Sequence, residues 1–128
     1  MKLLLDTHAF LWLNDESERL TQTVKDLCSS GEYEFYLSMA SPWEMQIKHQ
    51  LGKLSLAMPI VELVIKNTQE NNIQLLPIDL SHINYLEQLP SHHKDPFDRI
   101  IIAQAIIEGM TIISIDHAFV DYPVQIVW

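Results

Sequence analysis

Asp6, Glu44, Asp98 and Asp116 are the residues of this 128-residue chain best placed to do chemistry together. Asp6 closes the apolar run Lys2-Leu3-Leu4-Leu5, and Asp116 closes Thr111-Ile112-Ile113-Ser114-Ile115. Glu44 and Asp98 stand at the third position of two helices that open alike, Ser41-Pro42-Trp43-Glu44 and Asp95-Pro96-Phe97-Asp98. In a parallel α/β sheet the carboxyl ends of the strands share one edge, and ligands bind there. Acids from four distant segments are therefore expected to meet in one cleft. Like charges so placed repel, which favours protonation or a bound divalent cation. Oxygen-only ligands suit Mg²⁺ or Mn²⁺ rather than zinc. Metal-dependent hydrolysis of a phosphodiester is the chemistry that this layout serves.

Each acid also has a plainer reading. Ser41-x-x-Glu44 has the form of a capping box with proline at the first helical position. Asp95 suits an N-cap, because Pro96 pushes it out of helical dihedrals. Asp6 would cap a first helix, and Asp116 would open a turn before His117-Ala118-Phe119. These readings weaken when taken together, since all four helix or turn starts should lie on one edge. A carboxylate has two oxygens and several lone pairs, so capping and metal binding are compatible. Positive helix N-termini would stabilise both the acids and an incoming phosphate.

Other chemistries find less support. No histidine stands in HExxH or another metal-ligand spacing, and the single Cys28 gives no zinc set. His92-His93 reads as an exposed loop pair. Ser29-Ser30 and Ser55 lack a nucleophile-elbow setting, and three glycines form no phosphate loop. Trp12, Trp43 and Trp128 are read as packing residues before base-stacking ones.

The elements that must position the acids follow from periodicity. Strands are predicted at about 2–6, 34–38, 74–78, 111–115 and 124–127. A short helix passes through Phe10-Leu11-Trp12-Leu13. A second runs from about 20 to 30, with apolar residues at Leu20, Val24, Leu27 and Cys28, and ends before Gly31. Ser41 is expected to cap a helix to about Leu51, Pro59 to open one from Ile60 to about Asn71, and Ser81 to cap one through Tyr85 and Leu89. Pro96 opens the most apolar helix, which ends at Gly109. Alternating strands and helices argue for a parallel sheet with helices on both faces.

With 48% hydrophobic residues, the whole chain, 1–128, reads as one compact domain. The apolar run after Met1 is too short for a signal-peptide core or a membrane span, and a lone cysteine excludes an internal disulfide. Both fit a cytoplasmic protein. A net charge of −9 counts against a broad nucleic-acid-binding face. The few cations are grouped, however: Lys48, His49 and Lys53 follow Glu44, and His92, His93, Lys94 and Arg99 bracket Asp95–Asp98. A cation-rimmed acidic hole suits a single flexible strand better than a long duplex. Lys48, Lys94 and Arg99 are candidates for holding flanking phosphates.

Leu3-Leu4-Leu5-Asp6-Thr7-His8-Ala9-Phe10-Leu11-Trp12, Ser41-Pro42-Trp43-Glu44-Met45-Gln46-Ile47-Lys48 and Asp95-Pro96-Phe97-Asp98-Arg99-Ile100-Ile101-Ile102-Ala103-Gln104-Ala105 together resemble the PIN-domain family. The nearest resemblance is to its VapC toxins of bacterial type II toxin–antitoxin systems, and it runs in order along essentially the whole chain. It implies a three-layer α/β/α fold around a parallel sheet of four to five strands. It implies a metal-dependent endoribonuclease with Asp6, Glu44, Asp98 and Asp116 as catalytic and metal-ligating acids, Asp6 and Asp98 foremost and Asp116 the most variable. It further implies Mg²⁺ or Mn²⁺ as cofactor, and an RNA product with a 5′-phosphate and 3′-hydroxyl. Thr7 matches a hydroxyl residue that orients a carboxylate or water. Ser114 stands where many relatives have threonine and keeps the hydroxyl. A homodimer and a VapB-type antitoxin covering the site are also implied, with the Phe10–Leu13 and Ile60–Ile65 helices as walls of an apolar groove. Two rival classes remain: a non-catalytic PIN-like binding module, and an aspartyl-phosphate phosphatase. The phosphatase typically carries a second aspartate two residues after the first, where this chain has His8.

Overall fold

A computed structural model describes residues 1–92 and 95–128. Strands β1 (Lys2–Leu5), β2 (Glu34–Ser38), β3 (Ile73–Leu76), β4 (Thr111–Ile113) and β5 (Ile126–Val127) form one sheet in the order β3-β2-β1-β4-β5. Every neighbouring pair is parallel, with Leu4 opposite both Tyr36 of β2 and Ile112 of β4. Helices α1 (Thr7–Asp15), α2 (Gln22–Ser29), α3 (Ala40–Gln50), α4 (Ile60–Glu70), α5 (Leu80–Tyr85) and α6 (Pro96–Glu108) cover it, with short 3₁₀ turns at Ser17–Arg19, Leu86–Gln88 and His117–Asp121.

The two-residue strand period divides the apolar residues between two cores. Leu3, Leu5, Leu37 and Ile113 face a layer built by α1, α2 and α4, with Phe10, Val24, Leu63 and Val64 packed inside. Leu4 and Ile112 face the opposite layer, where Ile100, Ile101 and Ile102 of α6 pack with Phe119 and Tyr122. Central β1 is buried on both faces, which is why its sequence reads as unbroken leucine. The result is the three-layer α/β/α sandwich expected from the sequence. Cys28 sits half-buried against the first core, and burial pushes its thiol up.

Several element starts differ from the sequence reading, each for a local reason. Helix α3 begins at Ala40, one residue before Ser41, and the Ser38 hydroxyl accepts the Ala40 N–H at 3.0 Å. Ser41 is thus inside the helix and fully buried, so the capping-box reading of Ser41-x-x-Glu44 does not hold. Glu44 is the fifth residue of α3 rather than the third. Helix α5 takes Asp79 and not Ser81 as its N-cap: the His82 N–H donates to the Asp79 carbonyl at 3.1 Å while the Asp79 N–H donates to His82 Nδ1 at 2.9 Å. Strand β4 stops at Ile113, leaving Ser114-Ile115-Asp116 as a connecting turn. By contrast, α6 starts with Asp95 as N-cap and Pro96 as its first residue, and closes on Gly109, as read from the sequence.

Candidate active site

The strand order turns at β1. The chain moves outward through β2 and β3, then returns to place β4 and β5 on the other side of β1. Such a switch point opens a crevice beyond the carboxyl ends of the diverging strands. Asp6 follows β1 directly, α3 with Glu44 follows β2, and Asp116 lies three residues beyond β4. Helix α6 connects β3 to β4, so its N-terminus, with Asp95 and Asp98, belongs to the same edge.

Asp6 and Asp116 approach one another through Ser114. The Asp6 backbone N–H extends the β1–β4 ladder to Ile113 O at 3.1 Å, and its Oδ1 caps α1 by accepting the Ala9 N–H at 2.7 Å. Asp116 plays the same part for the next turn, accepting the Ala118 N–H at 2.9 Å. The Ser114 hydroxyl accepts the Asp116 N–H at 2.9 Å and hydrogen-bonds the Asp6 carboxylate. Burial pushes the Asp6 carboxyl above its ordinary range. The Ser114 and Ala9 hydrogen bonds and His8 pull it back, and the Asp116 charge raises it further.

Glu44 is buried, and both its oxygens have donors. The Thr7 hydroxyl donates to Oε1 at 2.8 Å, and Lys48 Nζ donates to Oε2 at 2.8 Å. Thr7 Oγ1 also lies 3.0 Å from the Ser41 hydroxyl. A hydroxyl has one proton and an ionised carboxylate only accepts, so Ser41 is the donor of that second bond. Thr7 is adjacent to Asp6, and this short relay ties the first helix to the third at the point where both acids emerge.

On α6, Asp95 Oδ1 accepts the N–H groups of Phe97 at 2.8 Å and Asp98 at 3.3 Å. Pro96 supplies no donor and fixes φ for the first turn, so Asp98 falls at the third helical position as expected. Trp43 of α3 packs edge-on against Phe97 of α6, with ring centroids 5.1 Å apart, and so pins together the helices that carry Glu44 and Asp98. Lys48 is held protonated to higher pH, first by its bond to Glu44 and then by Asp95 and Asp98. Arg99 donates to Pro90 O at 2.9 Å and Leu86 O at 3.2 Å, tying the end of the 3₁₀ turn to α6. Lys94 and His93 lie outside the described residues. His92 rests edge-on against Tyr122.

The donor set suits a hard divalent ion. Asp6, Glu44, Asp98 and Asp116 offer only oxygen, as do the hydroxyls of Thr7 and Ser114. The raised Asp6 beside Asp116 is a like-charge pair that a cation would relieve. Among the described residues, no three His, Cys, Asp or Glu side chains are drawn together around one point. Lys48 occupies one Glu44 oxygen instead. A cleft of about 380 Å³ opens alongside, lined by Thr7, His8, Trp12, Lys48 and Lys53. The proposed wall residues of the first and fourth helices border different grooves. Leu11 and Trp12 line that cleft, while Val61, Val64 and Ile65 line an apolar groove with Met39, Pro42 and Leu75. Ser41 and Ser38 are the site-supporting residues that pattern reading missed, and serine near a helix start gave no signal beyond capping.

An open parallel sheet with an acidic edge at its switch point defines a class, and the comparisons give it a name. A PIN-domain family profile matches residues 3–125, so the chain belongs to the PIN-domain family. No curated protein sequence matches it. Its fold is similar to a VapBC2 structure from Rickettsia felis bound to a promoter DNA fragment, at TM-score 0.74 and 13% identity over 99% of this chain and 98% of that one. It is also similar to FitAcB from Neisseria gonorrhoeae, at TM-score 0.65 and 19% identity over 98% and 96%. VapBC-1 from nontypeable Haemophilus influenzae aligns at TM-score 0.66 and 15% identity over 99% and 97%.

Proposed function

We propose that this PIN-domain protein is a Mg²⁺- or Mn²⁺-dependent endoribonuclease, the toxin of a type II toxin–antitoxin pair. The observation that carries the reading is the Asp6–Ser114–Asp116 arrangement at the β1/β4 switch point, facing the Thr7–Glu44–Lys48 relay from β2's side. Asp6, Glu44, Asp98 and Asp116 would hold the ion, with Asp6 and Asp98 as its main ligands. When bound, Mg²⁺ supplies water activation and offsets charge on the scissile phosphate and leaving oxygen. Thr7 and Ser114 orient carboxylates. The starts of α1 and α6 present positive backbone ends toward the same edge. Lys48 and Lys94 are the cations proposed to hold flanking phosphates, with a smaller part for Arg99, whose guanidinium ties two carbonyls. Cleavage leaves a 5′-phosphate and a 3′-hydroxyl.

Five of the similar structures are VapBC or FitAB assemblies, three of them bound to DNA. They support a VapB-type antitoxin as the partner of this chain; a homodimeric toxin acting in the cytoplasm belongs to the same proposal. Among the described residues no helix is long and apolar enough to cross a membrane. An antitoxin would seat apolar side chains in the grooves beside α1 and α4 and a basic one near the acids.

A second reading, a non-catalytic binding module, draws on one observation: both Glu44 oxygens are engaged by the chain itself. The phosphatase reading has none, since His8 is exposed and rests against Trp12, with centroids 5.9 Å apart. Purified protein incubated with RNA across a Mg²⁺ series, followed by mapping of 5′-ends, decides between the readings. Cleavage that disappears in EDTA and in Asp6→Asn supports the nuclease. Intact RNA at every metal concentration leaves the binding module. Copurification with the product of an adjacent small gene, with cleavage suppressed in the complex, tests the toxin assignment.

A further inference from the structure

The Glu44–Lys48 pair has a form that an ordinary helix salt bridge lacks. A glutamate four residues before a lysine is common on exposed helix faces and contributes little there. Here the two partners differ sharply in exposure, with side chains 5% exposed for Glu44 and 42% for Lys48. The carboxylate is fixed in the interior by Thr7, whereas the ammonium rides on a flexible stem with one side in water. A buried carboxylate needs compensation, and Lys48 supplies the only full charge bonded to it among the described residues. The same ammonium lies within the influence of Asp95 and Asp98 across the gap to α6. Lys48 is thus the counter-ion of Glu44, with Asp95 and Asp98 adding to the negative field around it, in the place where a divalent cation would be bound.

We propose that Lys48 is a built-in competitor of the divalent ion: its ammonium neutralises Glu44 in the metal-free protein and must leave that carboxylate for metal to load. This inference rests on the metal-nuclease reading and adds how its site is filled. A divalent ion and an ammonium cannot both sit against one Glu44 oxygen, because their charges repel at contact distance. The displaced Lys48 stays tethered at the mouth of the cleft shared with Thr7, His8 and Lys53. There it is in reach of a phosphate of the RNA strand. Metal entry and phosphate capture are then two halves of one exchange, in which Lys48 trades a carboxylate for the substrate. The device also offsets the buried Glu44 charge while the site is metal-free.

The test is a binding cycle in the absence of RNA, using Mn²⁺ followed by electron paramagnetic resonance or calorimetry. Wild type, Lys48→Met, Glu44→Gln and the double variant are titrated as folded, full-length proteins. Lys48→Met should tighten Mn²⁺ by roughly five-fold or more while Glu44 is present, and by less than about two-fold in the Glu44→Gln background. Equal gains in both backgrounds would mean only a general field effect, and that result overturns the proposal with metal binding intact. No gain in either background does the same. Absence of Mn²⁺ binding in wild type and Lys48→Met alike removes the proposal and the metal-nuclease reading together. If Glu44→Gln does not fold, wild type decides alone. Amine-reactive labelling of Lys48, with Lys53 as internal reference, should speed up several-fold on adding Mg²⁺, and an unchanged ratio overturns the exchange.

Discussion

Asp95 and Asp98 lie one helical turn apart, and the structure gives Asp95 the work of a cap while the proposal gives Asp98 that of a ligand. Asp95 turns an oxygen to two backbone N–H groups of its own helix, so serine in its place keeps an acceptor. We expect Asp95→Ser to retain most metal-dependent cleavage, and Asp95→Ala to lose about 1 kcal/mol of stability. Asp98→Asn should stay folded and lose cleavage by more than ~100-fold, beyond the range for residues that only support a ligand. Melting temperatures and cleavage across a Mg²⁺ series check both, and the reverse pattern would reassign the third acid. Asp6 gives a pH-dependent counterpart. Burial raises its folded pKa above the ordinary 3.8, so in that window the folded protein binds more protons than the unfolded chain. Stability therefore falls as pH rises from the unfolded value through the folded one, and the whole penalty remains at neutral pH. Asp6→Asn keeps the oxygen that accepts the Ala9 N–H and removes the buried charge. In EDTA at neutral pH it should melt a few degrees higher than wild type, and the advantage should fade as pH drops toward the ordinary aspartate range. Parallel melting curves at every pH would contradict this account of the site.

At the scale of elements, what could be read from sequence depended on how local its cause was. Asp95-Pro96 and Gly109 mark the ends of α6 by rules that act within a turn or two, and both ends fell where the residues indicated. Gly109 adopts φ +67°, with open space where a Cβ would stand, so its requirement is backbone conformation alone. Gly109→Ala should therefore cost about 1 kcal/mol by urea denaturation and leave cleavage per folded molecule unchanged. A loss of activity beyond the loss of folded protein would show that the α6 end communicates with Asp98. Ser41 was misread because its decisive partner is 34 residues away, in Thr7, and no local rule foresees that a buried hydroxyl is claimed from another helix. The same holds for Glu44. Its type and edge position were legible, but its bonds to Thr7, 37 residues away, and to Lys48 needed the packed sheet. Ser81 lost the α5 cap to Asp79 because a neighbouring His82 completes a reciprocal pair, which serine without such a partner cannot match. Strand β4 ended at Ile113, although the Ser114 N–H still reaches Val127 O of β5 at 3.2 Å, because the Ser114 hydroxyl takes the Asp116 N–H and bends the chain away beyond it. The parallel sheet of four to five strands was legible because hydrophobic runs and helix periods alternate along the whole chain, whereas the strand order came only with the structure.

Across the whole molecule, charge sets how a substrate can be held. A net charge of −9 with eight lysines and arginines gives RNA no broad basic face to lie on. Three of those cations already have polar partners among the described residues: Lys48 on Glu44, Arg19 on Glu16, and Arg99 on the carbonyls of Pro90 and Leu86. Under the proposed nuclease reading, binding would depend on the divalent ion and a few local contacts, and it should release few counterions. For single strands the salt dependence of affinity has a slope of about −0.7 per phosphate neutralised. A site that engages the scissile phosphate and one or two neighbours should thus show a log–log slope no steeper than roughly −2. The measurement is fluorescence anisotropy of a short labelled RNA with wild-type protein, using Ca²⁺ as a hard oxygen-binding ion in place of Mg²⁺ to slow cleavage. Affinity should appear with Ca²⁺, vanish in EDTA, and weaken only gently between low and physiological salt. A slope several-fold steeper, or full affinity in EDTA, would mean that RNA is gripped by an extended cationic surface. The acidic edge at β1 and β4 would then not be where the strand is read.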